Sequence, residues 1–574
     1  MEEIYNANPK GNTDFKERLA DVKSENHPNV TYYIYKMIIL HNLHGVDIMK
    51  EAVEIAKLRL FLKLVAEVDP SKNKPNFGLE PLPDIDFNIR SGNTLVGFAT
   101  EQQLEEIVRN TEGELIYKEK FNQLKDACKT VAKYYEHFQE LQTKTSLNSD
   151  EHKKSKESLI VRLNELNENL NRYLADTYGL GKQTQWKNEK EKEKAYLQWK
   201  ESHQPFHWFA EFYEIIRKGG FDVVIGNPPY VEYSKIKNEY KIKNYNTEKA
   251  GNIYAYVIER SLSIMHIISR IGMIIQLSAF CTSRMLSFQE HWLLYSKQSY
   301  ISFFDDRPGK LFDGLEHIRV AICLNEVGDN STRNIYTTNY IKFPTETRSF
   351  LFDNIAYISN NSFINNAIPK INKNIEQDII FKIHKDSKKL SDFFNNTGKY
   401  LLYFHNAPQY FIRALSFTPY FWNEKEGEKI SSHNKKIIFS NETHRDMVLS
   451  VLNSTIFYFS FILKSDCRDF NLKEINEFSL DLDSVSVNNI SMLKELSRKL
   501  ELDLKKNAYR KEANYRATGK VIYDEFYPKL SKPIIDEIDK VLAEHYGFTE
   551  EELDFIINYD IKYRMGSELG EEAI

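Results

Sequence analysis

The sequence predicts an α/β fold built around a mostly parallel β-sheet. Short apolar runs that fit buried strands, at residues 221–225, 271–277 and 320–324, alternate with stretches of helical spacing at 50–64 and 253–268. Parallel strands are covered by helices on both faces, so they are nearly continuous apolar runs. Hydrophobic residues make up 41% of the 574 residues, which is enough to bury large cores.

Changes in composition divide the chain into predicted segments. After residue 100 the sequence is rich in Lys, Glu and Gln, and apolar residues recur every three or four positions over 121–141 and 159–174, which predicts an antiparallel helical hairpin. Residues 335–490 look irregular, and the last segment looks helical and charged. The predicted segments are 1–100, 101–205, 206–334, 335–490 and 491–574.

Composition also limits the classes of function. The net charge of −5 gives no global basic signal, so binding to a nucleic acid would need local patches. The four cysteines are widely scattered, which indicates a reduced, cytoplasmic protein without structural zinc or another metal site: Cys128, Cys281, Cys323 and Cys467. No apolar run reaches the roughly 18 residues that a membrane span needs, so no membrane partner is expected.

The tetrapeptide Asn227-Pro228-Pro229-Tyr230 directly follows the apolar strand 221–225 and a glycine. In open α/β sheets ligands bind beyond the carboxyl ends of strands, where this turn lies. The Asn227 side-chain oxygen and the Pro228 carbonyl can accept both hydrogens of an exocyclic ring amine and localise its lone pair. The two prolines hold these acceptors rigid, and Tyr230 offers a flat face for stacking a base that is turned out of the duplex.

With its neighbours, this motif resembles the γ-class adenine-specific DNA methyltransferases of restriction-modification systems, in particular the type IIG enzymes. The resemblance implies a Rossmann-like methyltransferase sheet, a helical insertion, a mixed target-recognition domain and a helical carboxy-terminal region. It also implies methyl transfer from S-adenosylmethionine to the N-6 amine of adenine in double-stranded DNA. Without the resemblance, the motif is open to interpretation as a strand-terminating turn.

The resemblance extends to two segments that precede the catalytic motif. Residues 44–60 resemble the family's second cofactor strand and its helix, which implies that Asp47 and Ile48 bind the cofactor. Residues 88–95 resemble the segment that presents a polar side chain to the cofactor's adenine, which implies roles for Asn93 and Thr94, together with Asn227. Many relatives have aspartate at the position of Asn93.

The sequence departs from the family where the cofactor's methionine part should be held. A strand and a Gly-rich loop are expected before Asp47, but residues 1–46 contain only Gly11 and Gly45. We expect that the chain is a carboxy-terminal portion of a longer enzyme. The alternatives are a remnant of such an enzyme or a second polypeptide that supplies the missing part.

Basic residues beyond position 335 are candidate DNA contacts. Four of them lie in stretches that resemble the family's target-recognition region, and four belong to a cationic run near the carboxy terminus that suits phosphates. The candidates are Arg413, Lys435, Lys436 and Arg468, and then Lys505, Lys506, Arg510 and Lys511. Each one, taken alone, is also compatible with a solvated surface charge.

Two other functions are compatible with the sequence. The same tetrapeptide serves enzymes that methylate a glutamine side chain in proteins, although those enzymes are compact and do not need the region after 335. A DNA-recognition or assembly fragment without methyl transfer is the non-enzymatic alternative, and the missing Gly-rich loop favours it.

Overall fold

The structure, a computed structural model, describes residues 29–143, 149–181, 186–314, 317–328, 333–360, 367–386, 388–395, 397–516 and 519–566, together with 6–8, 16, 19–20, 22–23 and 27. The chain divides into two compact units, Met1–Ile271 and Gly272–Ile574. The boundary falls within a strand, Met265–Gln276.

In its described residues, the first unit is mainly helical and carries three short strands and the start of a fourth. Its helices are α1 (Val30–Asn42), α2 (Lys50–Ala66), α3 (Glu101–Glu112), α4 (Tyr117–Thr143), α5 (Ser149–Thr177), α6 (Glu189–His203), α7 (Trp208–Glu211), α8 (Tyr213–Arg217), α9 (Tyr233–Ile236) and α10 (Ile253–Ser263). Its strands are β1 (Gly45–Asp47), β2 (Ile89–Ser91), β3 (Phe221–Gly226) and the first part of β4 (Met265–Gln276).

Strands β1 and β2 form a parallel pair in which Asp47 lies level with Ser91. Buried Asn88, just before β2, donates its side-chain amide to the carbonyls of Leu40 (2.9 Å) and Leu43 (3.2 Å). These carbonyls belong to the end of α1, which needs partners from outside the helix. The predicted helix at 50–64 is confirmed as α2, which packs one face against Ile39 and Leu40 of α1.

The predicted antiparallel helical hairpin is confirmed as α4 and α5. As the chain advances along α5 it runs back along α4: the His152 ring lies 4.9 Å from that of Phe138, and the Arg162 guanidinium lies 4.7 Å from the Tyr134 ring. The leucines of the α5 stripe, from Leu159 to Leu174, are buried in the same core as Phe121 and Leu124. The stripe therefore serves packing, as its periodicity predicts.

Strand β3 is present where the sequence predicts it, but the prediction that it is buried is wrong. It lies at the end of its sheet with β4 as its neighbour, and Val223 and Ile225 are 60% and 81% exposed. The helix predicted over 253–268 is also too long, because α10 ends at Ser263 and β4 begins at Met265. Gly220, just before β3 and at φ +109°, lets the backbone approach this turn closely, since a Cβ there would lie 2.4 Å from the Ile264 carbonyl oxygen.

The second unit combines sheets with a buried helical layer. Its strands are the rest of β4, β5 (Ser296–Phe304), β6 (Val320–Val327), β7 (Asn334–Ile341), β8 (Ile358–Ser359), β9 (Tyr400–His405), β10 (Ala414–Leu415), β11 (Phe421–Asn423), β12 (Gly427–Glu428), β13 (Asn434–Phe439), β14 (Tyr509–Tyr515) and β15 (Gly519–Glu525). Its helices are α11 (Leu286–Leu294), α12 (Asn374–Ile383), α13 (Glu442–Asn453), α14 (Thr455–Lys464), α15 (Leu472–Asn476), α16 (Val487–Lys506), α17 (Lys532–Tyr546), α18 (Glu550–Ile557) and α19 (Ile561–Met565).

The main sheet of this unit is mixed, so the expectation of a mostly parallel sheet is wrong here. The strands run in the order β4, β6, β5, β7, β8. β5 pairs antiparallel with β6 and parallel with β7, and β7 pairs antiparallel with β8. β5 and β6 are antiparallel neighbours, which do not need a crossover helix, and the described residues between them contain no helix.

The region predicted as irregular, 335–490, is largely regular. A three-stranded antiparallel sheet has the order β10, β9, β13, and α13 and α14 are buried almost throughout. The pattern is hard to see in the sequence because the strands are short.

In the described part of the chain no single helix has the length and composition of a membrane span. Only α13 and α14 together do, and they are bent by 65°.

The last segment is not wholly helical, which corrects the expectation of a helical carboxy-terminal region. Strands β14 and β15 form a hairpin that extends the sheet of β11 and β12. Tyr509 and Tyr515 of β14 and the apolar stretch of β15 favour strands, because β-branched and aromatic residues fit a pleated surface. A capping box at Thr549 and Glu552 begins α18.

Candidate active site

The Asn227–Tyr230 loop leaves β3 as the sequence predicts, and its side chains differ sharply in exposure. Asn227 and Pro229 are exposed, Pro228 is buried and Tyr230 is partly buried. The Tyr230 hydroxyl donates to the Asn227 side-chain oxygen at 2.9 Å. An amide oxygen has two lone pairs, so Asn227 keeps one acceptor position for an amine.

The segment before α10 braces this loop. The Ile253 amide donates to the Val231 carbonyl (2.9 Å), and the Tyr233 amide donates to the Gly251 carbonyl (2.8 Å). The Tyr230 ring meets the fully buried Tyr254 ring edge to face, with 6.5 Å between centroids. This contact has no signal in the sequence, because an aromatic residue inside an apolar helix is ordinarily a core residue.

The predicted cofactor residues lie at the carboxyl ends of β1 and β2. Asp47 is exposed, and one of its carboxylate oxygens accepts from the Met49 amide at 2.8 Å. The Gly92 amide donates to the Asp47 carbonyl at 2.9 Å, which joins the two strand ends. Ile48 is 36% exposed. The parallel pairing therefore brings Asp47, Ile48 and the start of the 92–95 segment together.

Asn93 and Thr94 are less exposed to solvent than the sequence suggests. Asn93 is 2% exposed, and its side-chain oxygen accepts from the Leu95 amide at 3.1 Å. Its side-chain nitrogen has no hydrogen-bond partner among the residues that the structure describes. The Thr94 hydroxyl accepts from the Trp208 indole at 3.1 Å. Trp208 is a contact that the sequence did not indicate.

Helix α10 ties the segment after Asn93 to the Asn227–Tyr230 loop. Its buried Arg260 donates to the carbonyls of Leu95 (3.4 Å) and Gly97 (3.2 Å). Gly97, at φ +141°, lies against the backbone of Phe206, where a Cβ would come within 2.0 Å of the carbonyl oxygen. Because α10 also carries Tyr254, one helix positions both groups of candidate residues.

These residues suit part of a nucleoside cofactor. The second carboxylate oxygen of Asp47 is a suitable acceptor for ribose hydroxyls. The unpartnered amide nitrogen of Asn93 would suit an acceptor such as a ring nitrogen, since buried polar atoms without partners are costly. The residues that the structure describes contain no Gly-rich loop for the remainder of the cofactor.

The predicted DNA contacts of the second unit differ in how freely their charges are available. Lys435 and Lys436 are exposed on β13, and no described carboxylate pairs with them. Arg468 is exposed and lies 3.9 Å from Asp469. Arg413 is only partly exposed and stacks on the Phe526 ring at 4.7 Å.

Half of the predicted cationic run is neutralised by the hairpin. Arg510 pairs with Asp524 and Lys511 pairs with Glu525, each at 2.9 Å. Lys505 and Lys506 lie at the end of α16, and the Lys505 ammonium stacks over the Phe417 ring at 3.9 Å. The prediction rested on the cations over 505–520 alone. It left out the acids of β15, which the hairpin turn places opposite Arg510 and Lys511.

The described residues offer no group for thiol or metal chemistry. All four cysteines have free thiols and are buried, and burial raises the pKa of Cys128 to about 12. Within the ranges that the structure describes, no three His, Cys, Asp or Glu side chains are grouped to hold a metal ion.

Comparison with known proteins gives a methylase match over the first unit and the start of the second. Residues 41–309 match the model of the Eco57I restriction-modification methylase family. A relative from Methanocaldococcus jannaschii, named as a type II restriction enzyme and methyltransferase, is 31% identical over 256 residues. The alignment covers 39% of this chain and 21% of the relative, so the chain spans about a fifth of that protein.

Solved structures of restriction-modification enzymes are similar at low identity. The type IIL enzyme MmeI in complex with DNA is 12% identical, with a TM-score of 0.38, over 96% of this chain and 76% of that one. A nuclease-deletion mutant of the type ISP enzyme LlaGI with a DNA substrate mimic is 12% identical, with a TM-score of 0.29. That match covers 60% of this chain and 47% of the other.

Proposed function

We propose that this chain carries the catalytic loop and the target-recognition region of a site-specific DNA methyltransferase. The enzyme moves a methyl group from S-adenosylmethionine to the N-6 amine of adenine in duplex DNA. The observation that carries the proposal is the Asn227–Tyr230 loop at the end of β3, with the Asn227 amide exposed beside the Tyr230 ring. The match of residues 41–309 to restriction-modification methylases supports it.

The reaction needs positioning more than a strong base. An adenine amine that donates one hydrogen to the Asn227 oxygen and the other to the Pro228 carbonyl becomes more nearly tetrahedral, and its lone pair becomes available. Buried Pro228 fixes the second acceptor. Tyr230, held edge to face by Tyr254, supplies the stacking surface.

S-adenosylmethionine supplies the activated methyl group when it is bound. Asp47 would accept from its ribose hydroxyls, and Ile48, Asn93 and Thr94 would line the adenine side. Asn227 would face both the cofactor and the target base. The proteins to which the chain is similar include enzymes solved with DNA, and we assign DNA contacts to Lys435, Lys436 and Arg468, with Lys505 and Lys506 adding phosphate contacts.

A second part of the proposal concerns the free edges of β1 and β3. Neither strand has a described strand partner on its second side, and these strands are not paired with one another. Apolar side chains are exposed on β3 and on α2, where Leu58 and Leu62 are 56% and 59% exposed. We propose that a further polypeptide segment, with a strand and a Gly-rich loop, pairs with these edges and completes the cofactor site.

The experiment measures transfer of a radiolabelled methyl group from S-adenosylmethionine to duplex DNA by the active assembly that contains this chain. Asn227→Ala should lower turnover by about two to three orders of magnitude, because one preorganised acceptor is lost. DNA affinity should be nearly unchanged, since no phosphate contact is removed. Hydrolysis of the DNA should yield N-6-methyladenine.

Asn227→Asp is the matched control because it keeps an acceptor at the same position, and it should retain more activity than the alanine variant. Near-wild-type turnover of Asn227→Ala would contradict the assignment of the catalytic loop. Label recovered in protein glutamine and not in DNA would favour the glutamine methyltransferase alternative.

A further inference from the structure

The second unit contains a cavity of about 420 Å³ between the 405–413 segment and the end of β15. Its volume lies in the range of small-molecule sites. Its lining includes five Phe and Tyr residues, Tyr410, Phe411, Tyr523, Phe526 and Tyr527. Such a lining suits a flat, apolar group.

Arg413 gives this cavity a charge that the protein does not compensate. Its guanidinium stacks over the Phe526 ring at 4.7 Å, and among the residues that the structure describes it has no hydrogen-bond or ion-pair partner. Desolvation by burial lowers the pKa of Arg413 to about 10. A guanidinium that is largely removed from water without an acceptor is costly, and a bound acceptor would offset that cost.

The other charged groups of the cavity are already engaged. Asp524 accepts from Arg510, and Glu525 accepts from Lys511 and from the Tyr527 hydroxyl. Arg564 donates to the Tyr410 carbonyl and to the Thr455 hydroxyl. Lys529, the remaining Lys or Arg of the lining, also has an interaction of its own, which leaves the Arg413 guanidinium as the group available to a ligand.

We propose that this cavity binds a single unstacked nucleotide, with its phosphate on Arg413 and its base against the aromatic walls. An anionic oxygen group next to a flat ring is the chemistry that a bare guanidinium beside aromatic rings recognises. The nucleotide comes either from a displaced DNA strand or from a free mononucleotide. The inference concerns binding alone, so it does not depend on methyl transfer.

Fluorescence anisotropy and calorimetry with the full chain test the proposal, using a short single-stranded DNA, a deoxynucleoside monophosphate and inorganic phosphate as probes. Arg413→Gln should weaken binding of the strand or of the mononucleotide by about ten- to a hundredfold, as expected for a lost charged hydrogen bond. Arg348→Gln is the control, because Arg348 pairs with Asp313 in the same unit and does not line the cavity. It should change the affinity by less than about threefold.

A strand with abasic sites should bind more weakly than the intact strand, because base stacking on aromatic side chains contributes about 1–3 kcal/mol for each base. Binding of the monophosphate alone would identify a free nucleotide as the source, and binding only of the strand would identify DNA. An unchanged affinity of Arg413→Gln would overturn the proposal, as would inorganic phosphate binding as tightly as the nucleotide. If Arg413→Gln does not fold, Arg413→Lys and Phe526→Leu should each weaken binding severalfold.

Discussion

In strands β3 and β5, the polarity of the sequence and the burial of the side chains do not agree. β3 is apolar, yet Val223 and Ile225 are mostly exposed. β5 begins with polar residues, yet Ser296 and Ser299 are completely buried. The difference lies in their neighbours, since β5 has a paired strand on each side and β3 ends its sheet. Whether a strand is buried thus depends on its place in the sheet as well as on its own hydrophobicity.

Buried polar residues in β5 are tolerated because each has a partner. The Ser299 hydroxyl accepts from the indole of fully buried Trp292 at 2.8 Å, and the Ser296 hydroxyl donates to the Trp292 carbonyl at 2.8 Å. Satisfied hydrogen bonds remove most of the cost of burial. The exposed apolar residues of β3 have no comparable compensation, which is why we propose a further segment at this edge.

The largest expected effect is on the stability of the second unit. Phe303 of β5 is fully buried and meets Phe280 edge to face. Phe303→Ala should therefore lower the free energy of unfolding by about 3–5 kcal/mol. Ile225→Thr, which keeps a β-branched side chain on exposed β3, should change it by less than about 0.5 kcal/mol. Urea unfolding followed by tryptophan fluorescence measures both variants, and equal losses would mean that β3 is covered in solution.

The second largest expected difference between β3 and β5 is in their rates of hydrogen exchange. In the isolated chain, the amides of 221–226 should exchange on the order of a thousandfold faster than those of β5, since edge elements open locally at low cost. S-adenosylmethionine alone should bind weakly or not at all. A polypeptide that carries the proposed strand and Gly-rich loop should slow exchange at 221–226 and restore cofactor binding.

Strong protection of 221–226 with micromolar cofactor binding and no added polypeptide would contradict the proposed partner segment. Protection of β5 serves as the internal control, because its two neighbouring strands belong to this chain and should hold it in either condition.

The smallest expected effect is the pH dependence of stability that His44 causes near the β1 and β3 edges. Burial, followed by the charge of His41, lowers the pKa of His44 to about 4, and the ring packs against Phe221 of β3 at 5.8 Å. Between an unfolded pKa of about 6.5 and the folded value, only the unfolded chain takes up the proton. The stability of the first unit should therefore fall as the pH falls through this window.

His44→Phe should make that fall shallower. The measurement is urea unfolding at about pH 7 and about pH 5, with exchange at 221–226 read by mass spectrometry. His384→Gln is the matched control, because burial also lowers the pKa of His384 to about 3, but this residue lies in the second unit. If both variants changed the exchange at 221–226 equally, His44 would not be the cause of the pH dependence there.

The sequence by itself determined the elements whose pattern is local. The stripes of α4 and α5, the helix after Asp47, the capping box at Thr549 and the position of the Asn227–Tyr230 loop after β3 all follow from spacing over a few residues. These features carry most of the proposed chemistry, because the proposed catalytic motif is contiguous.

Only the tertiary structure decided the features that depend on residues far apart in the chain. The pairing of Arg510 with Asp524, the stacking of Arg413 on Phe526, the bracing of Tyr230 by Tyr254 and the exposure of β3 are examples. Burial and charge compensation arise from the neighbours that folding supplies, and a linear pattern does not specify those neighbours.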